Sequence, residues 1–379
     1  MQLEDLETPA LILDRVKMER NIARLRDRLA PFNVTLRPHV KTNKSADVAR
    51  HIGAPGTPIT VSTLKEADYF FKHGWTDILY AVGIAAGKFE HVARLLAQGA
   101  KLTLVLDNTE TAVALAAFCR ERAITLPVLI EIDSDGHRSG LAPDAPELLE
   151  VAAELGKSQA TGGAWVAGVM THAGASYDCR SIAAIIAIAE QERAGAVHAA
   201  ERLRAAGFSA ATVSVGSTPT AHFAQALDGV TEVRAGVFVF FDLVMSGIEV
   251  CTQDDIALSV LCTVIGHQKE KGWIITDGGW MAMSRDRGTS KQPVDQGYGV
   301  VCDLDGNPIE DLIVAQANQE HGVLAHRSGD PARTPYLPIG TMLRVLPNHA
   351  CSTAAQHPAY RVVAGSREIE ADWPRFSGW

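Results

Sequence analysis

Cysteine is scarce and unpatterned in this chain of 379 residues: Cys119, Cys179, Cys251, Cys262, Cys302 and Cys351 show no CxxC spacing. That excludes a disulfide framework and a structural zinc knuckle, and reduced thiols are the expectation. Long apolar runs are missing as well, with no stretch near the roughly 18 uninterrupted residues a membrane span needs. The opening MQLEDLETPA carries acids and no apolar signal core, so a cytoplasmic protein is expected. There is no long basic run interleaved with aromatics, and 44 acidic against 35 basic residues leave a net charge of −9. This argues against nucleic acid or an anionic membrane as the main partner. A Walker lysine and a GxGxxG in a first βαβ unit are also absent, which makes a nucleoside triphosphate or a dinucleotide a poor fit. What remains is a small-molecule partner.

What is present is ample core, since 47% of the residues are hydrophobic, and a length that fits one large barrel plus a smaller module. Short β-branched runs, each ending in polar residues, alternate with alanine- and leucine-rich amphipathic stretches. The runs are VTLRPHVK, PITVST, DILYAV, LTLVLD, PVLIEID, VAGVMTHA, ATVSVGS and TEVRAG. Eight such units over roughly 210 residues predict a (β/α)8 barrel, with a doubly wound sheet as the main rival. After about residue 245 the pattern turns to strand-like runs with turn signals: LSVLCTVIGH, GWIITDGG, YGVVCDLDGNPI and MLRVLPNHACS. The expected division is a barrel over 1–245 and a β-rich domain over 246–379, with residues 1–15 candidates to pack with the latter.

In such a barrel the chemistry sits at the C-terminal strand ends, where the βα loops converge. Those ends carry His39 and Lys41, Ser62 and Thr63, Asp107, Asp133 with Arg138, His172 with Tyr177, Gly216 to Thr218, and Arg234 with Gly236. Each has a bland reading alone: Lys41 as a solvated loop lysine, Asp107 as a helix cap, His172 as a satisfied buried histidine. VSVGSTPT is the most legible stretch, because Gly216, Ser217 and Thr218 at the start of a helix offer backbone N–H groups and hydroxyls to an anion, or else form an ordinary N-cap turn. A lysine on the first strand and a monophosphate cup on the seventh suggest pyridoxal phosphate, whose aldehyde needs the one and whose phosphate needs the other.

In that order, RPHVKT, EIDSDGHRSG, THAGASY, SVGSTPT, EVRAGVFVFFD and LPNHAC resemble the alanine-racemase-like (fold type III) pyridoxal phosphate enzymes. Within that group the chain resembles the D-serine dehydratase and D-threonine aldolase family, and most of all its bacterial D-threo-3-hydroxyaspartate dehydratases. The resemblance implies a barrel followed by a β domain, in a homodimer with the active site near the subunit interface. It implies that Lys41 is the Schiff-base lysine, its neighbouring cations helping to keep the amine neutral and nucleophilic. Arg138 matches the arginine facing the cofactor's phenolate oxygen and Tyr177 the tyrosine near the pyridine nitrogen. Gly216, Ser217, Thr218, Gly236 and Val237 would hold the phosphate, and His172 would lie beneath the ring.

In LPNHAC an extended His349-Ala350-Cys351 would project imidazole and thiol from one face of a strand, which is metal-ligand geometry. In the family this is a two-ligand metal site, with HxC in the dehydratases where well-known D-threonine aldolases carry HxD. Thiolate with imidazole suits zinc, with manganese or magnesium as the harder alternatives. The implied activity is a lyase acting on a D-3-hydroxy amino acid of the D-threo-3-hydroxyaspartate or D-serine type, giving an oxo acid and ammonia. Cleavage to glycine and an aldehyde, as in a D-threonine aldolase, is the alternative. A metal-free class I aldolase and a pyridoxal phosphate carrier without turnover stand as readings from other classes. A substrate β-carboxylate could be held by Arg285, Arg287 or Lys291 in SRDRGTSK, or by none of them.

Overall fold

The computed structural model describes residues 1–159 and 162–379. The chain forms two compact units: one comprises Met1–Arg24, Thr42–His51 and Val237–Ser377, the other Leu25–Lys41, Ile52–Gly236 and Gly378–Trp379. The first strand, β1 (Ala10–Asp14), belongs to the former. The latter contains the next eight: β2 (Thr35–Leu36), β3 (Ile59–Val61), β4 (Asp77–Gly83), β5 (Lys101–Leu106), β6 (Leu126–Ile132), β7 (Ala164–Thr171), β8 (Thr212–Val215) and β9 (Glu232–Val233).

These eight strands are the eight runs seen in the sequence, and all pair in parallel in the order β2-β9-β8-β7-β6-β5-β4-β3. The sheet closes on itself. Just past β2, His39 bridges Thr60 of β3 in parallel, and Val40 N–H donates to the Thr60 carbonyl at 3.0 Å. Closure rules out the open doubly wound sheet and establishes the barrel. The strands read as near-continuous apolar runs because a parallel sheet of this kind is covered on both faces; Leu79, Val105, Leu129, Ala167 and Met170 form one buried cluster of it.

Helices α1 (Arg15–Leu29) and α2 (Ala46–Ile52) precede the regular alternation. Then α3 (Leu64–Lys72), α4 (Phe89–Ala97), α5 (Thr109–Arg122), α6 (Glu147–Gln159), α7 (Ile182–Ala205) and α8 (Thr218–Phe223) follow β3 to β8 in turn. Several start on a side-chain cap at a strand end. Thr63 caps α3, Asn108 caps α5, Ser181 caps α7 and Ser217 caps α8, each accepting a backbone N–H two or three residues into its helix. Such caps stabilise a helix by about 1 kcal/mol each and fix where the chain leaves the barrel.

The second unit is built on β1 with β10 (Leu258–Gln268), β11 (Trp273–Thr276), β12 (Gly299–Cys302), β13 (Pro308–Ala317), β14 (Gly322–His326), β15 (Met342–Pro347), β16 (Ala359–Val363) and β17 (Ile369–Pro374). Their order is β11-β14-β13-β12-β15-β10-β1-β16-β17, and a further β10–β11 pairing closes the first six into an antiparallel barrel. The N-terminal strand joins it because Ala10, Leu11, Ile12 and Leu13 pair with Leu261 to Leu258 of β10 and bury their side chains. Leu3, Ala10, Ile12, Leu261 and Val363 make a core cluster there. Short helices α9 (Leu243–Gly247), α10 (Trp280–Met283) and α11 (Ala350–Ala354) complete the unit. Among the described residues no helix is long and apolar enough to cross a membrane.

Candidate active site and metal-ligand pair

In the barrel unit the polar strand ends gather. After β6, Asp133 Oδ1 accepts the backbone N–H groups of Asp135, Gly136 and His137 at 3.3, 2.8 and 3.2 Å. This side-chain turn shapes the SDGHRSG loop and leaves Arg138 exposed. Asp107 is not the cap of α5; that is Asn108, while Asp107 accepts Gly140 N–H at 3.0 Å and holds the far end of the same loop. The turn bearing Tyr177 is tied on both sides: Ala175 N–H donates to Asp135 at 2.8 Å, and the Ser176 and Ser217 hydroxyls share a 2.8 Å bond.

Three cations, Lys41, Arg138 and Arg234, act on two neutral imidazoles. His39 sits 3.3 Å from the Ser62 hydroxyl through Nε2, and burial, then the charges of Lys41, Arg234 and Arg138, hold its pKa well below the ordinary range. His172 donates from Nδ1 to the Gly216 carbonyl at 2.9 Å, because a carbonyl can only accept, so Nε2 carries the lone pair. Burial outweighs that bond and, with Lys41, Arg138 and Arg234, brings His172 down to about 3. Its ring centroid lies 6.0 Å from that of Tyr177. Arg234 is itself buried, bonded from Nη1 to the Ser214 hydroxyl at 2.6 Å and from Nη2 to the Thr171 carbonyl. Lys41, Arg138, His172, Tyr177, Gly216 and Ser217 thus belong to one cluster.

The expected backbone anion cup is corrected by the structure. Gly216 N–H donates to Glu192 Oε1 at 3.0 Å and Ser217 N–H to Thr220 Oγ1 at 3.0 Å, so both donors turn into the protein. Glu192, a buried residue of α7, also takes Ala173 N–H at 2.9 Å and so pins the ends of β7 and β8 together; burial raises its pKa. What does fit a phosphate ester is the Thr218 hydroxyl, buried and without a hydrogen-bond partner. Gly236 follows the Arg234-bearing strand end, and Val237, buried, opens the short turn Val237–Val239.

The β unit holds the other candidate pair, and here too the local geometry differs from expectation. His349 and Cys351 are not on a strand: β15 ends at Pro347, His349 caps α11 with an extended backbone, and Cys351 lies in its first turn. The two side chains are nonetheless hydrogen-bonded to each other. The approach is rigid. Asn348 is buried, accepts from the Thr289 hydroxyl at 2.9 Å and donates to the Gly297 and Asp286 carbonyls at 2.6 and 3.2 Å. Ala350 N–H donates to the buried Asp242 at 3.0 Å. His349 Nδ1 meets Asp286 Oδ2 at 2.7 Å, and Cys351 Sγ lies 3.2 Å from the Thr42 hydroxyl. Burial opposes a charge on His349, but Asp286 and Cys351 together push its pKa up, and the same contact holds the Asp286 carboxylate below the usual range. An imidazole and a thiol this close are a fitting soft donor set for a divalent metal. Among the described residues no three His, Cys, Asp or Glu side chains form a complete metal cage.

Of the cations in SRDRGTSK, Arg287 is engaged with Asp295 at 2.7 Å and stacks over Tyr298, while Arg285 stacks over Trp280. Sequence reasoning missed Glu192, Thr42, Asp242 and Asp286. Glu192 is one of several polar residues in a long helix, and the others lie 63 to 309 residues from the residue they touch, so no local pattern marks them.

The alanine racemase N-terminal domain profile matches residues 13–244, and a serine dehydratase domain profile matches residues 257–363. The chain is 54% identical over 380 residues to a D-threo-3-hydroxyaspartate dehydratase of Delftia sp. strain HT23, covering 99% of this chain and 98% of that one. It is 28% identical to a D-serine dehydratase of Dictyostelium discoideum (97% and 96% covered) and 26% identical to a 3-hydroxy-D-aspartate aldolase of Paracoccus denitrificans (99% and 92%). The solved Delftia dehydratase superposes with a TM-score of 0.93 at 52% identity over all of both chains, and a cysteine-to-alanine variant of that enzyme type in its metal-free form gives 0.95. An alanine racemase of Clostridium difficile, 15% identical with a TM-score of 0.67, shares the fold. With that profile spanning more than half of its length, the chain belongs to the alanine racemase N-terminal domain family.

Proposed function

We propose that this chain is a pyridoxal phosphate- and metal-dependent lyase that dehydrates a D-3-hydroxy amino acid of the D-threo-3-hydroxyaspartate type to an oxo acid and ammonia. The observation that carries this reading is the His349–Cys351 pair in a chain whose barrel mouth presents Lys41 among Arg138, His39 and His172. The similarity to a D-threo-3-hydroxyaspartate dehydratase over the full chain supports it. So does the spacing of the histidine and the cysteine exchanged for alanine in two solved variants of that enzyme, which stand two positions apart, as His349 and Cys351 do.

When bound, the pyridoxal ring supplies an electron sink at the α-carbon and the metal a Lewis acid at the β-hydroxyl. Lys41 would hold the cofactor through its amine and, once free, would be the base for the α-proton. Hydroxide leaves the β-carbon as that proton departs, and hydrolysis of the product enamine in water gives the oxo acid and ammonia. Arg138 would be the fixed cation for the phenolate oxygen and Tyr177 a neutral partner for the pyridine edge, while His172 is a neutral ring held by the Gly216 carbonyl. The Thr218 hydroxyl would donate to the phosphate, with Gly236 and Val237 as further candidates to line it, while the Gly216 and Ser217 N–H groups are taken by Glu192 and Thr220. His349 and Cys351 hold the metal, with zinc favoured because a thiolate is a soft ligand. A cytoplasmic homodimer is part of the same proposal.

Product analysis with D-threo-3-hydroxyaspartate, D-serine and D-threonine tests it: oxo acid and ammonia are expected, with Lys41→Ala inactive and colourless but folded. Glycine and an aldehyde as the products would replace dehydration by retro-aldol cleavage. Activity retained in Lys41→Ala would move the cofactor to another lysine, such as Lys44 or Lys65.

A further inference from the structure

His349 meets Asp286 through Nδ1 at 2.7 Å. A ring nitrogen that donates to a carboxylate is not free to coordinate an ion, so Nε2, on the far edge of the imidazole, is the nitrogen left for a metal. Asp286 therefore lies on the opposite side of the ring from that ion and cannot be its ligand through the same contact. Resting on the reading of His349 and Cys351 as the metal pair, we propose that Asp286 is a positioning residue which fixes the tautomer and orientation of His349 and thereby sets the affinity of the site for its metal.

The surroundings of Asp286 are arranged for this. Its backbone carbonyl accepts from the Asn348 amide, one residue before His349, and its N–H donates to the Ser284 hydroxyl at 3.2 Å. The Ser352 hydroxyl reaches the same oxygen, Oδ2, at 3.5 Å. Thr289, in the same loop, fastens the other side of the Asn348 amide and accepts Gln296 N–H at 3.1 Å. The adjacent arginines do not compete for the carboxylate: Arg287 pairs with Asp295, and Arg285 lies over Trp280. The SRDRGTSK segment thus delivers one carboxylate to one imidazole edge while its two arginines are engaged elsewhere. With two protein donors at the proposed site among the described residues, partners that orient them matter to metal affinity, because each unfixed ligand must be ordered when the ion arrives.

The test is a zinc titration of cofactor-loaded, metal-stripped protein against a chromophoric chelator, comparing wild type, Asp286→Ala, Asp286→Asn and His349→Ala. Asp286→Ala is expected to bind zinc roughly 10–100-fold more weakly. Loss of the Asp286–His349 pair is expected to lower its metal-free melting temperature, so the affinity is read at a temperature where the variant is folded by circular dichroism; a residue that only folds the loop would leave that affinity alone. Asp286→Asn keeps an acceptor oxygen without the charge and should fall between the two; it also decides the matter if the alanine variant does not fold. Wild-type affinity in both Asp286 variants, with His349→Ala defective, would overturn the positioning role while leaving the metal pair standing. Wild-type affinity in His349→Ala would overturn the metal pair itself, and the inference with it.

Discussion

His172 shows how a single residue's chemistry is set by its surroundings. The imidazole is held neutral at the barrel mouth because burial and three nearby cations outweigh its bond to the Gly216 carbonyl, taking its pKa from 6.5 to about 3. The unfolded chain accepts that proton near pH 6.5 and the folded one does not until about 3, so stability should fall on acidification through this window. The slope from this one group is at most about 1.4 kcal/mol per pH unit. Glu131 and Glu192, raised by burial, act with the opposite sign, since the fold holds their protons more tightly than the unfolded chain does. Urea denaturation of wild type and His172→Gln between pH 5 and 6.5 separates the two: the variant should lose less stability on acidification, and equal slopes would show that the folded ring takes up the proton. The neutrality was legible only in part. A histidine at the end of VAGVMTHA is visible in the sequence, but the field on it comes from Lys41 and Arg138 on other strand ends and Arg234 on a third.

At the scale of elements, Gly216 links strand pairing to the strand ends proposed to hold the cofactor. Its φ is +132°, and a Cβ there would lie 2.2 Å from the Arg234 carbonyl, backbone that cannot step aside without breaking the β8–β9 pairing. Gly216→Ala should therefore cost more than about 2 kcal/mol of stability and lose cofactor together with it. A variant that melts like wild type and retains full cofactor would show that the strand ends tolerate the shift. The eight parallel strands were readable because each is a short apolar run between polar ends, even where the ladder is only two residues long, as in β2 and β9. LPNHAC was readable as a donor pair but not as an element: a strand was the expectation, and Pro347 followed by ACSTAA makes a strand end and a helix start instead. Likewise VSVGSTPT suggests an anion cup or an ordinary N-cap turn, and the structure forms the cap: the Ser217 N–H is taken by Thr220 inside the motif and the Gly216 N–H by Glu192, which the local sequence does not reveal.

For the molecule as a whole, the two compact units carry different candidate groups: Lys41, Arg138 and Thr218 lie in the barrel unit, and His349 and Cys351 in the β unit. If each unit holds its own group, removing the metal should leave the cofactor in place and remove only bond breaking. Dialysis against a strong chelator is then expected to preserve the yellow colour of the protein while activity collapses by several powers of ten, each factor of ten corresponding to ~1.4 kcal/mol of barrier. Zinc should restore it better than magnesium, because the Cys351 thiolate is a soft donor that the Thr42 hydroxyl supports at 3.2 Å. Cys351→Asp carries the argument further. A carboxylate hardens the site, so the preference should move toward manganese, and the ratio of glycine to oxo acid among the products should rise if the metal's grip on the β-hydroxyl decides between carbon–carbon cleavage and loss of hydroxide. Full activity in chelated protein would remove the metal from the reaction. Loss of colour along with activity would mean that metal binding and cofactor retention are coupled despite their separate units, which a cofactor titration of the Cys351→Asp protein with and without manganese would measure directly.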